Sequence, residues 1–129
     1  MPSETILVVD DERAIRTLVQ AVLETAGYMV LTAADTEIAM RLYKEHQTTV
    51  ALLLTDVMMP GMNGLKLADE ILRLNPQALV LFMSGSIQSP NRGFGCLPKP
   101  FTVAELLGRV KGALGSRQPS RALKAATAA

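Results

Sequence analysis

The chain holds a single cysteine, Cys96, among its 129 residues. A lone thiol closes no internal disulfide and builds no zinc site, so a reducing compartment is expected. Excess charge is also missing: 13 Lys and Arg face 12 Asp and Glu, a net charge of +1. Dedicated nucleic-acid binders carry a strong basic surplus, so no direct DNA binding is expected. No apolar run approaches the roughly 20 residues that span a bilayer. The opening Met1-Pro2-Ser3-Glu4-Thr5 has no basic region of the kind that begins a signal peptide. The expected location is therefore cytoplasmic, with no membrane contact. The length leaves no room for two domains. What remains is globular composition, 49% hydrophobic and 19% charged, with core enough to fold without cross-links.

Along the chain, short β-branched runs alternate with amphipathic stretches. Thr5-Ile6-Leu7-Val8-Val9 is apolar on both faces, as in a strand buried within a parallel sheet, and it stops at Asp10-Asp11-Glu12. Ala14, Ile15, Leu18, Val19, Val22 and Leu23 then recur at helical spacing, and Gly27 closes that helix. Tyr28 to Ala33 reads as a second strand, and Asp35 or Thr36 caps a helix facing inward through Ile38, Ala39, Leu42 and Tyr43. Val50 to Thr55 is a third strand, stopping at Asp56. Asn63 caps a helix with Leu65, Leu67, Ala68, Ile71 and Leu72 inward, stopped by Asn75-Pro76. Ala78 to Met83 and Gly95 to Leu97 are the fourth and fifth strands. Thr102 caps a last helix carrying Val103, Leu106, Leu107, Val110 and Leu114.

This alternation predicts an α/β three-layer sandwich around a parallel sheet, whose functional residues gather beyond the carboxyl ends of the strands. Those ends carry Asp10 and Asp11, Asp56, Ser84 and Lys99. Carboxylates crowded together repel one another unless compensated, and a hard divalent cation such as Mg²⁺ compensates them while keeping several waters. Lys99 adds a compact ammonium and Ser84 a hydroxyl donor. Carboxylate, metal, ammonium and hydroxyl are the parts that phosphoryl transfer to an aspartate requires. A lone Asp after a strand is ordinarily a cap and a lone Lys a solvated charge. That reading suits Asp35, Lys44 and Lys66, but not four such residues at four strand ends.

Val8-Val9-Asp10-Asp11-Glu12, Asp56-Val57-Met58-Met59-Pro60-Gly61-Met62-Asn63-Gly64, Met83-Ser84-Gly85 and Lys99-Pro100-Phe101 resemble the receiver domain of two-component response regulators. The resemblance runs from about Thr5 to Leu114. It implies a (βα)5 flavodoxin-like sandwich with a parallel five-stranded sheet in the order 2-1-3-4-5. It also implies Asp56 as phosphoacceptor, Mg²⁺ held by Asp11 directly and Asp10 through water, and a further ligand from the Met58 backbone carbonyl. Ser84 would hydrogen-bond the phosphoryl group and Lys99 would form its salt bridge. Pro100 resembles the family's cis-proline, and Gly61 and Gly64 suit a tightly bent loop. The implied partners are a sensor histidine kinase or a histidine phosphotransfer protein. Output passes by protein contact or phosphorelay, because no DNA-binding or catalytic module is read after residue 115. Such a domain is a switch with weak autophosphatase activity more than an enzyme, and it resembles both single-domain receivers and those of hybrid kinases.

Two features depart from that pattern. Only Ser84 to Phe94 separate the fourth and fifth strands, too few for a helix of about three turns with its loops. The fourth helix is therefore expected to be missing or reduced to a turn. Apolar sheet surface uncovered in this way invites a homodimer contact, a partner or the C-terminal tail. Cys96 stands where the family carries a switching Tyr or Phe; it reads as a small buried strand residue, with only Lys99 nearby to lower its thiol pKa. His46 reads as a helix-end residue, and Met58, Met59 and Met62 as walls of the pocket rather than soft metal ligands. The expected organisation is a receiver domain over 1–115 and a flexible basic tail over 116–129, with Arg117, Arg121 and Lys124. The rival reading is a receiver-like protein-binding module that no longer switches. Flavin binding is excluded, since acidic strand ends repel the cofactor's phosphate.

Overall fold

Apolar runs become strands and amphipathic stretches become helices in the computed structural model, which describes residues 4–59, 62–85 and 95–115. In chain order these are β1 (Thr5–Val9), α1 (Arg13–Thr25), β2 (Met29–Ala33), α2 (Thr36–Glu45) and β3 (Val50–Asp56). A short ribbon follows, β4 (Met58–Met59) and β5 (Met62–Asn63), and then α3 (Gly64–Leu74), β6 (Val80–Ser84), β7 (Gly95–Pro98) and α4 (Val103–Gly115). The main sheet is parallel and ordered β2-β1-β3-β6-β7. Counting only its own strands, that is the expected order 2-1-3-4-5.

Side chains alternate across this sheet and build a core on each face. Leu7, Val9, Leu53, Val80 and Phe82 meet Ala39 and Tyr43 of α2 and Leu67, Ala68 and Ile71 of α3. Ile6, Val8, Leu52, Leu54, Leu81, Met83 and Leu97 meet Val19 and Leu23 of α1 and Leu106, Val110 and Leu114 of α4. The three layers follow directly, because strands apolar on both faces need helices on both.

Local chemistry sets the helix ends. The Asp35 carboxylate accepts from the Ile38 N–H and the Asn63 side-chain oxygen from the Leu65 N–H, both at 2.8 Å. Thr102 does more than cap: its hydroxyl accepts from the Glu105 N–H at 3.1 Å, and the Glu105 carboxylate accepts from the Thr102 N–H at 2.9 Å. This reciprocal capping box satisfies two amides that the first helical turn leaves open. Gly27 ends α1 at φ +101°, a conformation that side chains disfavour.

Some expectations shift. The strands expected from Tyr28 and from Ala78 begin at Met29 and Val80, and the last two reach Ser84 and Pro98. The β4–β5 ribbon occupies what read as a plain loop. Leu18 and Val103, expected on inner helix faces, are 47% and 53% exposed. Val103 lies on a groove of about 300 Å³ between α1 and α4, lined also by Val22 and Leu107, so that stretch of the apolar stripe is only partly covered. The expected loss of the fourth helix falls on residues 86–94, and the tail on 116–129; both lie outside the described residues, as does Gly61. The described residues contain four helices, none long and apolar enough to cross a membrane.

Candidate functional site

β1, β3, β6 and β7 deliver their C-terminal residues to one end of the sheet. Register explains how. Val9 of β1 lies opposite Thr55 of β3, so Asp10 and Asp56 both follow that last shared pair. Asp56 lies opposite Met83, and Ser84 opposite Pro98, which brings Lys99 alongside. The Lys99 N–H donates to the Ser84 carbonyl at 2.8 Å.

The Lys99 ammonium reaches across the end of the sheet. It donates to Asp10 Oδ2 at 2.7 Å and to Asp56 Oδ2 at 2.9 Å, and lies 4.0 Å from Glu12 Oε1. Asp10 is fully buried, Asp56 is 7% exposed, and Asp11 is exposed. Burial by itself pulls Lys99 toward neutrality. The hydrogen bonds and negative charges of Asp10 and Asp56 outweigh it and hold the ammonium above its ordinary pKa. One ammonium thus faces two buried carboxylates and a third at the rim, and the pocket stays negative.

Carboxylate oxygens of Asp10, Asp11 and Asp56 lie within 4.8 Å of one another. Hard oxygen donors at that spacing, two shielded and one open to water, fit a divalent cation that retains part of its hydration shell. Met58, expected to lend a backbone carbonyl, stands two residues beyond Asp56, where its main chain pairs with Asn63 in the ribbon. Its side chain is 69% exposed. The side chains of Met59 and Met62 lie outside the described ones. Ser84 is buried at the end of β6. The Lys99–Pro100 bond is cis, as the resemblance implied.

Four contributors were not legible as such. The Glu12 N–H donates to Asp10 Oδ1 at 2.8 Å, and the Arg16 guanidinium to the Asp10 carbonyl at 2.7 Å. Arg16 follows Glu12 by one helical turn, the only sequence hint of its reach. The Thr55 hydroxyl donates to the Asp56 carbonyl at 3.0 Å. Gly64, expected to bend a loop, instead opens α3 against Asp56: a Cβ there would lie 1.9 Å from the Asp56 carbonyl oxygen. Cys96 is half-buried against the core, and burial pushes its thiol up. The basic neighbour opposing that shift is Arg109 of α4, not the expected Lys99; its guanidinium donates to the Cys96 carbonyl at 2.7 Å. His46 ends α2, its N–H bonded to the Leu42 and Tyr43 carbonyls.

Comparison with known proteins bears on this arrangement. Residues 6–111 match the family model described as the response regulator receiver domain. The chain is 38% identical over 132 residues to the DNA-binding transcriptional regulator NtrC of Azospirillum brasilense, covering 97% of this chain and 27% of that protein. The chain therefore spans only about a quarter of that curated relative's length. Among solved structures, the receiver domain of the hybrid histidine kinase CckA is 39% identical, with a TM-score of 0.77 over 85% of this chain and 98% of that one. A CheX–CheY–BeF3–Mg²⁺ complex from Borrelia burgdorferi is 26% identical, with a TM-score of 0.75 over 84% and 87%.

Proposed function

This chain belongs to the response regulator receiver domain family of two-component signalling, and from that premise we propose that it is a phosphorylation-dependent switch with Asp56 as phosphoacceptor. Receivers are phosphoacceptor switches that engage histidine kinases or phosphotransfer proteins. The observation that carries the assignment is the Asp56 carboxylate, almost buried at the end of the central strand, 2.9 Å from the Lys99 ammonium and grouped with Asp10 and Asp11.

In the proposed reaction, an Asp56 carboxylate oxygen attacks the phosphorus of a partner's phosphohistidine. The O–P bond forms as the N–P bond breaks, and the electron pair leaves on the imidazole, which takes a proton from solvent. Lys99 turns from its carboxylate pairing to the transferred phosphoryl oxygens, and the Ser84 hydroxyl donates to another. Asp11, Asp10, Asp56 and the Met58 carbonyl would hold Mg²⁺, which supplies positive charge to the transferring oxygens. The Borrelia complex contains both BeF3 and Mg²⁺, in keeping with this donor set. The working unit is residues 1–115, with 116–129 as a tail. Output passes to a protein partner or along a phosphorelay.

Incubation with acetyl phosphate and Mg²⁺ tests the assignment. Mass spectrometry is expected to show one added phosphoryl group, which does not form when Mg²⁺ is chelated beforehand and is absent in Asp56→Asn. A wild-type chain that stays unmodified with excess donor and a cognate kinase would instead establish the rival, a non-switching binding module.

A further inference from the structure

The Asp56 carbonyl lies beyond the last β1–β3 pair, Val9 with Thr55, in a residue that is almost wholly buried. Buried carbonyls require donors. Thr55 provides one, its hydroxyl donating at 3.0 Å. Thr55 is itself fully buried, where a valine of the same shape would fill the space equally well. What the hydroxyl adds is therefore directional rather than volumetric.

From the opposite side, α3 begins against the same carbonyl. A Cβ on Gly64 would lie 1.9 Å from that oxygen and 3.1 Å from Thr55 Oγ1. The next peptide is held as well: the Val57 N–H donates to the Met83 carbonyl at 3.0 Å, and the Val57 carbonyl accepts from the Gly64 N–H at 2.8 Å. The backbone leaving Asp56 is thus tied to β6 on one side and to α3 on the other. Thr55 adds a donor at the Asp56 carbonyl itself.

We infer that Thr55 is a positioning residue for the phosphoacceptor: its hydroxyl, acting with the bare Cα of Gly64, fixes the peptide plane from which the Asp56 carboxylate is aimed at Lys99 and at an incoming phosphoryl group. The inference rests on the assignment of Asp56 as phosphoacceptor. Near-attack geometry is sensitive to displacements of an ångström or less, so a freed peptide plane slows transfer without changing the charges in the pocket.

The experiment compares wild type, Thr55→Val and Thr55→Ser in the full chain, with Thr55→Ala as substitute if the valine variant does not fold. Two readouts are taken. With acetyl phosphate and Mg²⁺, Thr55→Val is expected to lower the saturating phosphorylation rate about tenfold, leave the half-saturating donor concentration within about twofold, and recover in Thr55→Ser. Without donor, the NMR resonances of the Asp56 carboxyl carbon and the Lys99 Nζ shift in Thr55→Val and return in Thr55→Ser. Wild-type rate in Thr55→Val, or equal slowing in both variants with unmoved resonances, overturns the inference while leaving the phosphoacceptor assignment standing. If wild type is never phosphorylated yet the resonances move and recover, the positioning role stands and the phosphoacceptor assignment falls. If they do not move, both fall.

Discussion

The two strands that deliver Asp56 and Lys99, 2.9 Å apart in the site, are held very differently. β3 has seven residues, five of them buried, and pairs with a strand on each side. β7 has four, only one of them buried, and among the described residues it pairs with β6 alone. Asp56 therefore rises from a largely buried strand paired on both sides, while Lys99 leaves an edge strand, among the described residues, that is tied down by the Ser84 carbonyl and by Arg109. A nucleophile gains from fixed geometry. An ammonium that must first pair carboxylates and later phosphoryl oxygens gains from a base that yields. The difference places rigidity and compliance on opposite sides of one 2.9 Å contact.

Lys99→Met breaks the comparison hardest, because it leaves the buried Asp10 and Asp56 carboxylates facing each other without a cation. A loss of about 3 kcal/mol in urea unfolding is expected, together with loss of phosphorylation. The same pair sets a pH dependence. Lys99 has its pKa raised above the ordinary 10.5 in the folded chain, so its contribution is complete below pH 10.5 and fades as the pH climbs through the higher folded value. Wild type should lose stability in that alkaline range more steeply than Lys99→Met.

Gly64→Ala tests the rigid side. The added Cβ meets backbone, which cannot rotate away, and should cost about 2 kcal/mol. Acetyl phosphate labelling should also fall about tenfold under conditions where the variant remains folded. Full activity with normal stability would show that β3 is less confined than its contacts indicate. Arg109→Met tests the compliant side with the smallest effect, about 0.5 kcal/mol for a hydrogen bond open to water. Its signature is local: amide exchange should quicken along β7 and stay unchanged along β3.

Most of this architecture was legible because buried parallel strands announce themselves as apolar runs, and because four of the five runs in the main sheet give way to polar residues at their carboxyl ends. Asp10, Asp56, Ser84 and Lys99 could be placed at one end of the sheet for that reason alone. The caps at Asp35, Asn63 and Thr102 were readable too, since their chemistry is local. The β4–β5 ribbon was not, because two residues per strand show no periodicity. Nor were the hydrogen bonds from Arg109 to Cys96 and from Thr55 to Asp56. Arg109 and Cys96 are 13 residues apart, and their contact depends on how α4 crosses the sheet. Thr55 resembles any β-branched strand residue until its hydroxyl finds the carbonyl. Leu18 and Val103 erred in the other direction: helical spacing identifies a stripe but not how much of it a neighbour covers.

Open sheet edges are also a hazard between molecules, since unpaired strand amides and carbonyls accept strands from other copies and seed aggregates. β7 is such an edge among the described residues. A guanidinium already seated on the Cys96 carbonyl removes an acceptor from that ladder and sets a charge beside it, so an approaching strand meets a cation where it needs a free oxygen. Concentrated samples of Arg109→Met are therefore expected to cloud before those of the parent chain, and equal clarity of the two would show that the edge is protected by something else.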